Sequence, residues 1–299
     1  MKQPSLKLAL ALALSAGAAS AADVVILKSS DVPAWRPAVE ALRRGAANHN
    51  IAEFDLLGDR AEAERVLAQI TGKGTILVAF GPLAARAARE KAPDRPLIFC
   101  MVQDPASLGL PDAPNTWGVA FVLPARTQLA AFRLVNPRGV RIGVIHTADA
   151  ARLVGDAQQA ARTLHLLVLD RSVTSEKDVP EALRSLLKEG MDALWIPPDP
   201  LLVSDATRRY LLAETLKAGK PVYSFSSALV PEGALASNGP DVASIGDRAA
   251  EIVNRLAGGE KGQYELAFPF AELVINKKIA DQLKLPVPAD ALKAAKRVF

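Results

Sequence analysis

From residue 24 almost to the end, short apolar runs alternate with stretches whose apolar positions recur at helical spacing. Val24-Val25-Ile26-Leu27 is apolar throughout, as a strand covered on both faces should be. After Ser29-Ser30-Asp31, the residues Trp35, Val39, Leu42 and Ala46 recur with a helical period, and Pro37 fits only in the first turn of such a helix. The pattern then predicts a helix at 61–70, a strand at 75–80, a helix at 83–91, a strand at 96–101 and a helix at 126–134. A second, similar series opens with Arg141-Ile142-Gly143-Val144-Ile145. It predicts helices at 150–164, 179–188 and 204–218 between strands at 166–169, 193–196 and 221–225. A helix at 242–256, a strand-like stretch at 266–275 and two short helices around Pro286 and Pro288 complete the chain. Strand-helix alternation of this kind demands α/β architecture, with parallel sheets, right-handed crossovers and helices on both faces.

Length and composition turn this pattern into two lobes. With 299 residues, 50% of them hydrophobic and 23% charged, the chain is globular. At roughly 150 residues per domain it makes about two. The final stretch is too short for a third domain and must pack back onto the others. Cys100, inside Leu97-Ile98-Phe99-Cys100-Met101, is the single cysteine. An intrachain disulfide is therefore impossible, and a buried thiol is expected.

Residues 1–22 differ in kind. Lys2 and Lys7 precede an apolar stretch from 8 to 19, and Ala19-Ser20-Ala21 has the small-x-small pattern of a cleavage site. This reads as a secretory signal peptide, too short to span a bilayer. No cysteine directly follows its apolar core, so a free periplasmic protein rather than a lipoprotein is expected, with no membrane insertion of the mature chain. The formal charge of +4 includes both leader lysines. The remaining bases alternate with acids, as in Glu62-Ala63-Glu64-Arg65, and gather into no stripe that would track a nucleic acid.

Catalytic patterns are missing. His49, His146 and His165 form no metal-ligand spacing, and no G-x-S-x-G, phosphate-binding loop or dinucleotide fingerprint occurs. The expectation is a binding protein, with no enzyme activity, metal or cofactor. In open parallel sheets ligands bind beyond the carboxyl ends of the strands. The loops placed there are 29–31, 81–82, 103–105, 146–149, 197–200 and 224–227. Ser29, Ser30 and Asp31 suit a helix cap or a polar ligand, and Gly81-Pro82 permits close backbone approach ahead of helix N–H groups. Gln103 and Asp104 supply an amide and a carboxylate. Trp117, beside Gly118, is a candidate stacking wall. His146 and Thr147 end a strand, and for His146 structural and ligand-contact roles are both open. Asp199, Ser226 and Ser227 complete the candidate ligand-binding set.

Ordered segments along nearly the whole mature chain resemble the extracytoplasmic substrate-binding proteins of ABC transporters, in the family that includes binders of tryptophan and other aromatic amino acids. They are Val78-Ala79-Phe80-Gly81-Pro82-Leu83-Ala84-Ala85, the stretch from Pro96 to Pro105, Asn115-Thr116-Trp117-Gly118-Val119 with Gln128-Leu129, the stretch from Arg141 to Ile145, Glu232-Gly233-Ala234-Leu235-Ala236-Ser237, and Glu272-Leu273-Val274-Ile275-Asn276. The resemblance implies a type I periplasmic-binding-protein fold: two doubly wound parallel-sheet lobes joined by three crossovers, closing on one small solute and delivering it to a membrane permease. It places 23–139 with about 239–268 in lobe I, and 140–238 with about 269–299 in lobe II. An amino-acid-like solute would follow the family. However, Phe80-Gly81-Pro82 replaces a common Gly-Thr-Pro or Gly-Ser-Pro, His146-Thr147-Ala148 replaces Tyr-Asn-Pro, and Pro198 replaces a threonine. These changes open the site to a more apolar or differently charged solute as well. The alternative reading is a periplasmic ligand-sensing module that docks on a membrane receptor.

Overall fold

A computed structural model describes residues 21–299 except 73 and 263, so the expected leader lies almost wholly outside the described residues. The chain opens with β1 (Asp23–Lys28), α1 (Arg36–Gly45), β2 (Asn50–Asp55), α2 (Arg60–Gln69), β3 (Ile76–Phe80), α3 (Pro82–Lys91), β4 (Leu97–Cys100) and β5 (Thr116–Val119). It continues through α4 (Ala125–Val135), β6 (Arg141–His146), α5 (Ala151–Thr163), β7 (Leu167–Ser172), α6 (Val179–Lys188), β8 (Ala193–Ile196), α7 (Asp205–Lys217), β9 (Val222–Ser224) and β10 (Ala236–Pro240). The last elements are α8 (Val242–Ala257), β11 (Glu265–Ala267), β12 (Ala271–Ile275), α9 (Lys277–Gln282), α10 (Ala289–Ala294) and β13 (Arg297–Val298).

The strands form a six-stranded sheet, β11-β5-β4-β3-β1-β2, and a seven-stranded sheet, β13-β12-β10-β9-β8-β6-β7. The first is parallel throughout. The second is parallel except where β12 runs antiparallel to β10. Alternation along each strand sorts the core. Val24, Ile26, Val78 and Ile98 face α1 and α8, while Val25, Leu27, Leu77 and Phe99 face α2 and α3. Lobe II repeats the arrangement, with α4 and α5 on one face and α6 and α7 on the other.

Helix α4 belongs to lobe II. Its Leu129, Phe132 and Val135 pack with Ile142, Val144 and Trp195. Gln128 accepts from the Trp195 indole at 3.2 Å and donates to the Leu123 carbonyl at 2.9 Å. The first crossover therefore runs through 120–124, before α4, where the sequence reading set the lobe boundary at 139. The reason is that the apolar stripe of α4 matches the second sheet. The chain crosses again at 241, after which α8 packs on α1 with Ile245, Ala249 and Val253 buried. A third crossover, 268–270, separates β11 from β12, so the strand expected at 266–275 is in fact two strands in different sheets. The crossovers are tied together by Ala120 N–H to the Ala267 carbonyl and Asp241 N–H to the Phe270 carbonyl, both at 2.8 Å. Lys296 adds an ion pair to Asp241 at 2.7 Å.

Cys100 ends β4 inside the first core, and burial pushes its thiol pKa well up. A thiol reagent is expected to leave it unmodified in the native protein and to modify it fully in denaturant. Rapid labelling of native protein would contradict this packing.

Candidate functional site

Both sheets turn the carboxyl ends of their parallel strands toward the gap between the lobes. Pinned backbone shapes the loops there. After β6, Thr147 donates its N–H at 2.7 Å and its hydroxyl at 2.9 Å to one oxygen of Asp199. The other Asp199 oxygen accepts the Leu201 N–H at 3.0 Å, and the residue is only 1% exposed. Asp199 and Thr147 thus lock the loop after β8 to the loop after β6, and Pro198 rides on that lock. His146 turns elsewhere. Its Nδ1 bonds the Thr147 carbonyl at 2.9 Å, and its Nε2 lies 3.6 Å from Asp170 on β7, the edge strand.

In lobe I, the Ser29 hydroxyl accepts the Ala84 N–H at 3.0 Å, so one of the helix N–H groups behind Gly81-Pro82 is already taken. Gly81 has φ +91°, and a Cβ there would meet the Ser29 hydroxyl at 2.6 Å and the Trp35 ring at 2.7 Å. Only glycine fits this turn. Beyond β4, the Gln103 amide nitrogen donates to the Pro198 carbonyl in the other lobe. Asp104 accepts from the Ala106 N–H at 3.2 Å and so caps the following turn.

Between the lobes runs a groove of about 710 Å³. Its apolar walls include Phe121 and Leu123 of the first crossover, Leu266 and Phe268 at the third, and Leu153 of α5. Phe268 is 48% exposed, a large apolar surface left uncovered by the fold. Charge is confined to Asp104, Arg126, Asp149, Arg152 and Asp156. Arg126 is committed to Thr163 at 2.6 Å. Arg152 lies close enough to act on the Tyr264 phenol of lobe I, where burial raises the pKa and Arg152 lowers it.

Of the expected ligand residues, Gln103 and Asp104 line this groove, while Thr147 and Asp199 support the Pro198 wall from behind. Several placements depart from the sequence reading. Trp117 is 3% exposed in the lobe I core, because β5 is an interior strand between β4 and β11, so it forms no stacking wall. Asp31 is drawn outward by Arg36 at 2.9 Å and Lys28 at 3.4 Å, and the Arg36 bond above all holds its carboxyl below the usual range. Pro82 faces a separate groove between α2 and α3. Ser30 is half-buried in the turn beyond β1. Ser226 accepts from the Ala228 N–H at 3.3 Å and caps the turn that Ser227 begins. Phe121, Arg152 and Phe268 were not foreseen. The readable signal was Phe268-Pro269-Phe270, two large aromatics around a proline in a segment too short to bury them.

Two α/β lobes joined by crossovers, with a groove at their strand ends, suit a solute-binding protein. The chain belongs to the ABC transporter substrate binding protein family, whose model matches residues 40–299. It is similar to an ABC domain solved in complex with L-Trp from Streptococcus pneumonia, at 22% identity over 94% of this chain and 100% of that one, with a TM-score of 0.68. A substrate binding protein with adhesive properties from Clostridium difficile, in its ligand-free, open structure, is 19% identical over 93% and 99% of the two chains, with a TM-score of 0.79. A periplasmic ribose ABC transporter protein from Conexibacter woesei is 15% identical over 94% and 100%, with a TM-score of 0.58. No curated protein matches the chain. The architecture is the type I periplasmic-binding-protein fold. No helix among the described residues is long and apolar enough to cross a membrane.

Proposed function

We propose that this protein is an extracytoplasmic solute receptor, exported by its leader to the periplasm, which closes over a small molecule and delivers it to an ABC permease without transforming it. The observation that carries the reading is the interlobe groove, whose apolar walls are rimmed by a few charges. A solute touching both lobes binds the closed form better than the open one, and only that difference in affinity drives closure. The balance of walls and rim favours a molecule with an aromatic or aliphatic body and a charged end. An aromatic amino acid fits that description, in keeping with the L-Trp complex of the Streptococcus protein.

The test is a thermal-shift screen of the chain against amino acids, aromatic acids, sugars and amines at millimolar concentration. A ligand at a hundred times its Kd contributes about 2.7 kcal/mol. That corresponds to a rise of roughly 5–10 °C for lobes of this size. A panel in which nothing moves the melting temperature by a degree would remove the solute-capture reading.

A further inference from the structure

The geometry points to Gln103 as a latch between the lobes, a positioning residue that biases them toward closure through the carbonyl of Pro198, whatever solute is bound. The inference deepens the capture reading above and rests on the two lobes moving relative to each other.

The bond joins loops 95 residues apart, one beyond β4 and one beyond β8. Those strands lie in different sheets, so the bond must break when the lobes separate. Only the NH₂ end of the amide can meet a carbonyl, which fixes the orientation of the Gln103 side chain. The acceptor is held unusually still. Pro197 and Pro198 both have φ locked by their rings, and Pro198 carries no N–H that could bind elsewhere. The next residue, Asp199, is clamped by Thr147 and Leu201. Its own carbonyl also accepts the N–H groups of Leu202 and Val203 at 3.1 Å. Among the described residues the Pro198 carbonyl has no backbone donor, so its acceptor capacity is left for lobe I.

The donor side is also anchored. Gly81 N–H binds the Cys100 carbonyl at 2.9 Å at the end of β4, and Asp104 caps the turn that follows. Gln103 stands between these two fixed points. Gln103 and Pro198 line the same groove as Phe121 and Phe268, so the latch borders the space a solute would enter.

Gln103 is solvent-exposed, so water replaces the bond when the lobes part. A neutral hydrogen bond of this kind is worth about 1 kcal/mol net, which at room temperature is roughly a fivefold change in the ratio of closed to open forms. That is a bias rather than a lock, as suits a protein that must reopen at its permease.

The experiment needs no solute. Nitroxide labels are placed on Ala61→Cys in α2 and Ala206→Cys in α7, both exposed positions at the start of helices in opposite lobes, and Cys100 is shielded by burial. Interlabel distances are read by double electron–electron resonance on the solute-free chain. A short-distance population is expected in the parent, falling about fivefold relative to the long one in Gln103→Ala and in Gln103→Glu, which cannot donate. Melting temperatures should stay within a degree, so loss of fold would not mimic the result. Pro198→Ala keeps the carbonyl and should keep the short population. Identical distributions in parent and Gln103→Ala, a parent with no short population, or Pro198→Ala losing as much as Gln103→Ala would each overturn the latch. Because the readout is solute-free, a latch that responds while the thermal-shift screen stays silent would sink the capture reading alone.

Discussion

Gly246→Ala is expected to destabilise the protein by about 3 kcal/mol, while the same substitution at Gly155 should stabilise it by roughly 0.5–1 kcal/mol. A Cβ at Gly246 would collide with the Ala38 carbonyl oxygen and stand 2.8 Å from both the Ala38 carbonyl carbon and the Leu42 nitrogen. These are backbone atoms of α1, so no rotamer change relieves the clash. The seam is built from small residues on both sides, and a Cβ at Gly45 would likewise meet the Ala250 Cβ at 2.6 Å. Helix α8 reaches this seam only after crossing from lobe II, so pushing it off α1 also disturbs the second crossover. Gly155, in the interior of α5, has nothing within 4 Å of its would-be Cβ. There the added methyl costs no packing and removes the helix penalty of glycine. For lobes of this size the first change should lower Tm by roughly 6–12 °C and the second should raise it by a few degrees. Denaturant titration of the two variants decides the matter. If both shift the midpoint in the same direction, the close approach of α1 and α8 is not what holds that seam.

Most interior strands could be read from the sequence because parallel strands buried on both faces are continuous apolar runs, as Val24–Leu27 and Ile76–Phe80 are. The edge strand β2 was not read. Its residues, Asn-Ile-Ala-Glu-Phe-Asp, leave one face half-covered, and Glu53 serves as an ion-pair partner for Lys28 at 3.0 Å and for Arg43 at 2.6 Å. Burial by itself would raise the Glu53 carboxyl, but its bonds to Arg43 and Lys28 prevail and hold it low. Strand β5 was missed for another reason. Gly118 within it looks like a strand breaker, yet a Cβ there would run into the Phe99 ring, so the glycine marks close packing between neighbouring strands.

The candidate site shows the same division. Strand-end loops could be placed from pattern alone, and Gln103 and Asp104 do reach the groove. Which way a loop side chain turns depends on partners far away in the chain. Ser29 is claimed by Ala84, and Asp31 by Arg36 and Lys28. The helix α4 was assigned to the wrong side of the hinge because its stripe of Leu129, Phe132 and Val135 fits either sheet by periodicity. Only the Trp195–Gln128–Leu123 hydrogen bonds and the shape of the second core decide the matter.

Asp199→Ala should have the largest effect on the site itself, about 3 kcal/mol of stability together with loss of order in the loop that carries Pro198. The substitution strips the acceptor from three donors at once: the Thr147 N–H, the Thr147 hydroxyl and the Leu201 N–H. A buried donor left unmatched costs about 1–3 kcal/mol, and partial relaxation toward the groove keeps the sum below three full penalties. Asp199→Asn should fall between parent and alanine. Its oxygen can keep both Thr147 donors, with the NH₂ forced against the Leu201 N–H. Alternatively it keeps the Leu201 N–H, with the NH₂ against the Thr147 N–H and only the Thr147 hydroxyl able to rotate and accept. Thr147→Val, which removes the hydroxyl but leaves the backbone bond, should cost about 1 kcal/mol. The ordering alanine, asparagine, valine separates a carboxylate that builds the loop from one that merely lines it. Amide hydrogen exchange at Thr147 and Leu201 supplies the local readout, with protection expected to collapse in Asp199→Ala and to persist in Thr147→Val. If Asp199→Ala stays within half a kcal/mol of the parent with both amides still protected, the loop is held by something other than this carboxylate, and the fixed Pro198 carbonyl loses its foundation.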